Sequence, residues 1–387
     1  ALLFPARLTS DGLAYYDLAG RLAQGLSFQT PKGEWAGWPP GYPFLLLVGF
    51  KLLGIGLHAV IVANLLLFAG SVLAVYTLAR RFGEGTARLA TLFLALWPNL
   101  VMQGGVASKE SVIVFLLPVI FLLYLGAGER HRRSPWQARG MTLAAGLVLG
   151  YATLTQPGLQ LLGTAFLGYE ILRRTPILET GVRFALVLAG MVVVILPWTL
   201  RNQRVLGEPV LISTNGGSVF YRANNPLATG GFIPDGERSL RGYDELTLDR
   251  LGYQWGKEWI RENPGDFLRL ALQKQVLFLG DDSMGAYDTL KRGRGETGPL
   301  YAAMKLLSNA YWWGIWALIL AVFLARGNSL WHRRPDVVLF LLSILYFWTI
   351  HSVFESGSRH HLPILGLLAI LAAAGVTARQ DKLLPRS

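Results

Sequence analysis

The sequence predicts an all-α, polytopic membrane protein, and three observations carry that prediction. Of 387 residues, 52% are hydrophobic and only 16% are charged, with a mean hydropathy of +0.39. Soluble domains carry about a quarter charged residues. Apolar stretches of about 20 residues, long enough to cross a bilayer, recur along the chain. They run continuously rather than alternating, which argues against a β-barrel and leaves helices to satisfy the backbone in lipid.

The net charge of +12 would suggest nucleic acid in a soluble protein. Here the charge collects in short loops: Arg80, Arg81 and Arg88; Arg130, Arg132, Arg133 and Arg139; Arg173, Arg174 and Arg183; Arg326, Arg333 and Arg334; Arg379, Lys382 and Arg386. That is the positive-inside pattern of cytoplasmic loops. The bilayer is the expected partner and nucleic acid is not. With no cysteine there is no disulfide and no thiolate metal site.

The chain opens on an apolar stub, Ala1 to Leu8, which reads as the tail of a preceding span. An amphipathic helix begins at Ser10-Asp11. Residues 1–57 form a first outer loop with interfacial helices. Within it, residues 42–57 are too short for an easy span and follow Pro39, Pro40 and Pro43. Residues 58–200 hold spans expected at 58–80, 86–104, 109–128, 139–156, 158–173 and 183–200. Residues 201–303 form the one large outer, periplasmic loop. Its Asn263-Pro264 marks a capped helix start, and Leu251, Trp255 and Trp259 share one helical face. Two amphipathic helices are therefore expected on the outer membrane surface. The Gly/Asn-rich stretch 213–231 suits turns or a mobile flap. Residues 304–387 supply spans at 304–326, 336–352 and 361–378 and a basic cytoplasmic tail. The count is about 9–10 transmembrane helices.

Motifs of soluble enzymes are absent: no phosphate-binding loop, dinucleotide fingerprint, HExxH or CxxC. Polar groups cluster instead at the outer ends of spans. Asp11 reads equally as a helix cap and as a positioned acid. Lys109 and Glu110 stand in "QGGVASKES", where Ser108 offers a cap and Glu110 suits the helix dipole. Arg201 and Asn202 follow a span, where an arginine also snorkels to the interface. "HSVFESGSRHHLP" packs Glu355, Arg359, His360 and His361 into one short loop. Adjacent histidines on a helix point apart, and Asp281-Asp282 reads as a solvated loop, so neither makes a metal pair. Together these residues put an acid, several cations and several amides on one side of the membrane. That suits a lipid-linked phosphate held by Arg and Lys, with an acid to activate a nucleophile.

The ordered pieces "SDGLAYYDLAGRLAQG", "WPPGYPFLLLVGFKLLG", "ARRFGEGTARLATLFLALWPNLVMQGGVASKES", "PWTLRNQRVLGEPVLISTNGGSVFYRANNP" and "ESGSRHHLPIL" resemble the polyprenyl-phosphate-sugar-dependent glycosyltransferases of GT-C fold. The likeness is to the bacterial branch of protein O-mannosyltransferases and the lipid A aminoarabinose transferase. The resemblance implies an inner-membrane enzyme with its site facing the periplasm. It makes Asp11 the general base of an inverting transfer from a polyprenyl-phosphate sugar. It makes Arg201, Arg359 and Lys109 the holders of the leaving phosphate. Glu110 takes the place of a second acid. Asn202, Asn215, Asn224, Tyr15 and His360 become candidates for contacts to sugar or acceptor. No cofactor is obligatory, with a divalent cation left open. The acceptor is a lipid, a glycan or a protein; the small soluble part favours a small or lipid one. Two alternatives stand beside it: a non-catalytic subunit of the same fold, and a transporter, whose charges would sit near the midplane.

Overall fold

The computed structural model describes Leu8, residues 11–326 and residues 334–380. Residues 1–7 of the apolar stub, the Ser10 cap, Arg333, Lys382 and Arg386 lie outside them. Among the described residues every regular element is a helix, and there are no strands.

Helix α1 (Asp11–Ala23) and α2 (Gly41–Leu53) form a hairpin. Exposed Val48, Leu52, Leu53, Ile55 and Leu57 surround the end of α2, as befits a helix at a lipid surface. There follow α3 (Leu57–Ala79), α4 (Glu84–Ala95), α5 (Pro98–Gln103), α6 (Glu110–Arg130), α7 (Pro135–Thr155), α8 (Gly163–Leu172) and α9 (Ile177–Leu206). The large loop holds α10 (Gly216–Ala223), α11 (Glu245–Glu262) and α12 (Pro264–Gly280). Next is α13 (Met284–Ala286), which runs into a π-helical turn, Tyr287–Arg292. Then come α14 (Pro299–Arg326), α15 (Pro335–Val353) and α16 (Leu365–Gln380).

Five described helices are long and apolar enough to cross a membrane: Leu57–Phe82, Glu110–Arg130, Ile177–Leu206, Pro299–Ala325 and Pro335–Val353. The chain is a multi-pass membrane protein. Three expected spans differ from plain helices, and proline is the reason, since it withholds the amide a helix needs. The segment 86–104 divides before Pro98 into helices of 12 and 6 residues. The segment 158–173 opens on a 3-10 turn, Pro157–Leu159, and leaves α8 with 10 residues. The segment 361–378 opens on the turn Leu362–Ile364 before α16. Helix α16 is buried on every face from Leu365 to Ala373, as expected of a helix apolar all round.

Small residues set the closest packing. Helices α7 and α9 meet at Gly146 and Gly190, where a Cβ on Gly190 would stand 2.6 Å from Leu143 O and one on Gly146 would run into Val187 O. Glycine here lets backbones touch, the usual basis of helix association in lipid. Gly190→Val is therefore expected to part α7 from α9 and to lower the thermal midpoint in detergent. An unchanged midpoint would mean that the contact is slack.

The bundle is polar at both ends but differently built. At one end Arg81 pairs with Asp336 at 2.7 Å and Glu129 at 2.9 Å, and Arg183 pairs with Glu170 at 2.7 Å. Arg130 and Arg334 lie at the helix ends there. Helix α6 runs from that end, at Arg130, to the other, at Glu110; its 21 residues span about 30 Å. Helix α11 starts on Asp244, whose carboxylate accepts from Leu246 N and Thr247 N. Asn263, expected to cap α12, instead donates back to Trp259 O at 3.0 Å. Helix α12 is anchored by Lys274, buried completely. Its Nζ donates to Asn224 Oδ1, Ser352 O and Val353 O.

Candidate active site

Separate elements bring charge to the Glu110 end of α6. Asp11 is the first residue of α1, where free amides favour an acid. Lys109 and Glu110 stand at the start of α6. Arg359 and His360 ride on the connector between α15 and α16. Asp288 and Arg292 occupy the π-helical turn after α13.

Arg359 is the hub. Its Nη1 donates to Asp11 Oδ2 at 2.9 Å, and its Nη2 approaches Glu355 Oε1 at 3.4 Å. These contacts use two of five guanidinium N–H donors. Burial opposes the charge on Arg359, but Glu110, Asp11 and Glu355 more than offset it and hold its pKa above the usual arginine value. Glu110 is buried, and its Oε2 accepts from Ser108 Oγ at 2.6 Å. Burial, then His351, Arg359 and Lys109, push His360 well below the ordinary imidazole value, so it is neutral at neutral pH.

The group opens into a cleft of about 1050 Å³, lined by Asp11, Lys109, Glu355, Arg359 and His360. Trp35, Trp38, Leu206, Ile350 and Phe354 give it apolar walls. Gln156, Asn215, Ser218 and Arg222 add polar ones. Binding clefts combine apolar surface with a few convergent polar groups in this way. Among the described residues no three His, Asp or Glu side chains are arranged to hold a metal.

The structure brings Asp11, Lys109, Arg359, His360 and Asn215 to the cleft, and Tyr15 and Glu110 to a small chamber beside Asp11. Three expected site residues are committed elsewhere. Arg201 is not aimed into the cleft: its Nη1 donates to Trp35 O at 2.6 Å and Asn202 Oδ1 at 3.0 Å, its Nη2 donates to Phe28 O, and it stacks on Trp198 at 4.7 Å. It ties the loop before α2 to α9. Asn202, fully buried, donates to Val210 O and Ile212 O. Asn224, also fully buried, donates to Phe220 O and Val353 O at 2.8 Å each. Asp281-Asp282 is likewise no solvated loop at its second residue. Asp282 is fully buried and pairs with His361 at 2.8 Å.

Sequence reasoning missed Asp288, Arg292, Gln103 and Arg222. Asp288 sits among mixed charges in the large loop, and only its fold-back onto α5 through Gly285 N to Asn99 Oδ1 and Thr289 Oγ1 to Met102 O brings it to the site.

Residues 38–200 match the model of the dolichyl-phosphate-mannose-protein mannosyltransferase family. No curated protein sequence matches the chain. In structure it is similar to the oligosaccharyltransferase of Archaeoglobus fulgidus in its apo form, with a TM-score of 0.57 and 13% identity over 97% of this chain. It is similar, too, to the archaeal oligosaccharyltransferase AglB from Archaeoglobus fulgidus in complex with an inhibitory peptide and a dolichol-phosphate, with a TM-score of 0.58 and 13% identity over 98% of this chain. The chain spans 47% of the length of each of these oligosaccharyltransferase chains. ArnT from Cupriavidus metallidurans bound to undecaprenyl phosphate has a TM-score of 0.49 and 18% identity, covering 98% of this chain and 76% of ArnT. In its fold, and in the sequence of residues 38–200, the chain resembles the polyprenyl-phosphate-sugar-dependent glycosyltransferases of GT-C type.

Proposed function

We propose that this protein is a membrane glycosyltransferase that moves a sugar from a polyprenyl-phosphate donor to an acceptor, with inversion, at the outer face of a plasma membrane. The observation that carries the reading is the Asp11–Arg359 pair, 2.9 Å apart, in a cleft that joins charged groups to apolar walls. Asp11 takes the proton of the acceptor hydroxyl or amine. The acceptor atom attacks the anomeric carbon, the bond from that carbon to the phosphate oxygen breaks, and the phosphate leaves with the electron pair. Arg359, with donors still to give, and Lys109 stabilise the charge that develops on the phosphate. The apolar walls suit the first isoprene units of the carrier.

The basic loops at the opposite end, cytoplasmic by the positive-inside pattern, support the outer face. The family matched by residues 38–200, and the dolichol-phosphate captured on the structurally similar oligosaccharyltransferase, support a lipid-linked donor. The acceptor is a lipid, a glycan or a protein.

The test is sugar transfer in membranes from a panel of labelled polyprenyl-phosphate sugars, by the parent and by Asp11→Asn. Transfer by the parent and its collapse in the folded variant are expected. A parent that uses no donor, or a variant that transfers normally, would overturn the reading. Arg201→Lys is expected to behave differently. Lysine cannot bridge Trp35 O and Phe28 O while stacking on Trp198, so the thermal midpoint falls while the donor KM holds. A raised KM with normal melting would return Arg201 to the phosphate.

A further inference from the structure

Beside Asp11 lies a small chamber of about 30 Å³ whose lining includes Asp11, Tyr15, Gln103, Glu110, Asp288 and Arg359. It has room for about two waters. Tyr15 and Gln103 are 1% and 2% exposed, and neither Tyr15 Oη nor Gln103 Oε1 has a protein hydrogen-bond partner among the described residues. Buried polar atoms are satisfied by water where protein does not reach them. Asp288 also lines it, on a π-helical turn, a conformation that is rare and frequent at functional sites. The turn is held to α5 by Gly285 N to Asn99 Oδ1 and Thr289 Oγ1 to Met102 O.

Resting on the reading of Asp11 as base, we infer that Asp288 receives the acceptor's proton from Asp11 through water held in this chamber. Asp11 takes the proton from the nucleophile, passes it through the chamber water to an Asp288 oxygen, and is again a carboxylate when the next acceptor arrives. Asp288 then releases it towards solvent, to which its 10% exposed side chain still opens. No bond to carbon is made or broken in the relay. Asp288 acts through Asp11 and touches no substrate.

The surroundings suit a proton that must be both taken and released. Burial raises the Asp288 carboxyl to about 6. Arg292 on its own turn, at 3.1 Å, and Arg359 from the connector pull it down; Glu110 from α6 and Asp11 from α1 push it up. Asp288 accepts only when ionised, so transfer must rise with pH through about 6 and fall below it.

The experiment is the pH profile of transfer from the labelled donor panel, with an infrared titration of the Asp288 carboxyl in detergent. Asp288→Asn is expected to lower kcat about tenfold above neutrality, to leave the donor KM unchanged, and to erase the acid limb. Arg292→Gln is expected to move that limb to higher pH. In the infrared titration, Asp11→Asn is expected to lower the Asp288 midpoint, since a like charge has been removed. An unmoved limb in the variants, or a midpoint indifferent to Asp11→Asn, would overturn the relay. The infrared arm and Arg292→Gln decide the matter even if Asp288→Asn does not fold. If Asp11→Asn is inactive while the Asp288→Asn profile is unmoved, the relay fails alone and the base stands. Transfer by Asp11→Asn sinks the base itself.

Discussion

Asp11→Asn is expected to lower kcat for sugar transfer by about 10³-fold, within the range of a lost general base, with little change in the melting temperature or the donor KM. Asparagine nearly copies the shape of aspartate, and its carbonyl oxygen can still accept from Arg359 Nη1, now 2.9 Å away. What it loses is the second lone-pair oxygen and the charge that can take a proton. The stability cost is small because the amide keeps that hydrogen bond to Arg359, and Glu110 and Glu355 still compensate the guanidinium. The check is a split of kcat from KM, with a melt of the same preparation. An equal loss in both parameters and in stability would make Asp11 a structural partner of Arg359, and Glu110 would become the next acid to test.

The fold class was legible because lipid imposes so strong a rule on sequence: continuous apolar runs flanked by basic loops fit little but membrane-spanning helices. Helix α6 could be read from "ESVIVFLLPVIFLLYLGAGER" within two residues of its ends. The segments at 86–104 and 158–173 were not, because hydropathy does not see where Pro98 and Pro157 break a helix. Within the site, Asp11 and Arg359 stood out as charges beside apolar runs, though 348 residues separate them. Arg201 stood out for the same reason and misled: a charge at a helix end reads alike whether it faces a cleft or, as here, the carbonyls of Phe28 and Trp35. Asp288 was invisible because its position depends on a fold-back of the loop onto α5, and no periodicity encodes that.

His361→Phe is expected to cost about 1–3 kcal/mol for each buried acceptor it leaves without its partner. His361 Nδ1 lies 2.7 Å from Phe278 O and Nε2 lies 2.8 Å from Asp282 Oδ1, so the ring links a backbone carbonyl to a buried carboxyl group. Phenylalanine keeps the stack on Trp312, 4.2 Å away and 16° from parallel, so the loss isolates the polar contacts. Asp282 would keep Trp97 Nε1 at 2.7 Å and Asn99 Nδ2 but lose its His361 contact in a fully buried site. Asp282→Asn is expected to be comparably damaging, since the amide turns a donor towards donors. Because the two changes break one pair, the double variant should lose less than the sum of the singles, by more than about 1 kcal/mol. The functional consequence follows from the chain path. His361 anchors the connector two residues beyond Arg359, while Asp282 begins the segment that carries Asp288, so one buried contact registers both on the cleft. Survivors of either change should therefore show a raised donor KM before they show a lowered kcat. Strictly additive losses in melting temperature, with KM unmoved, would instead mean that Arg359 is held by Asp11 and Glu355 alone.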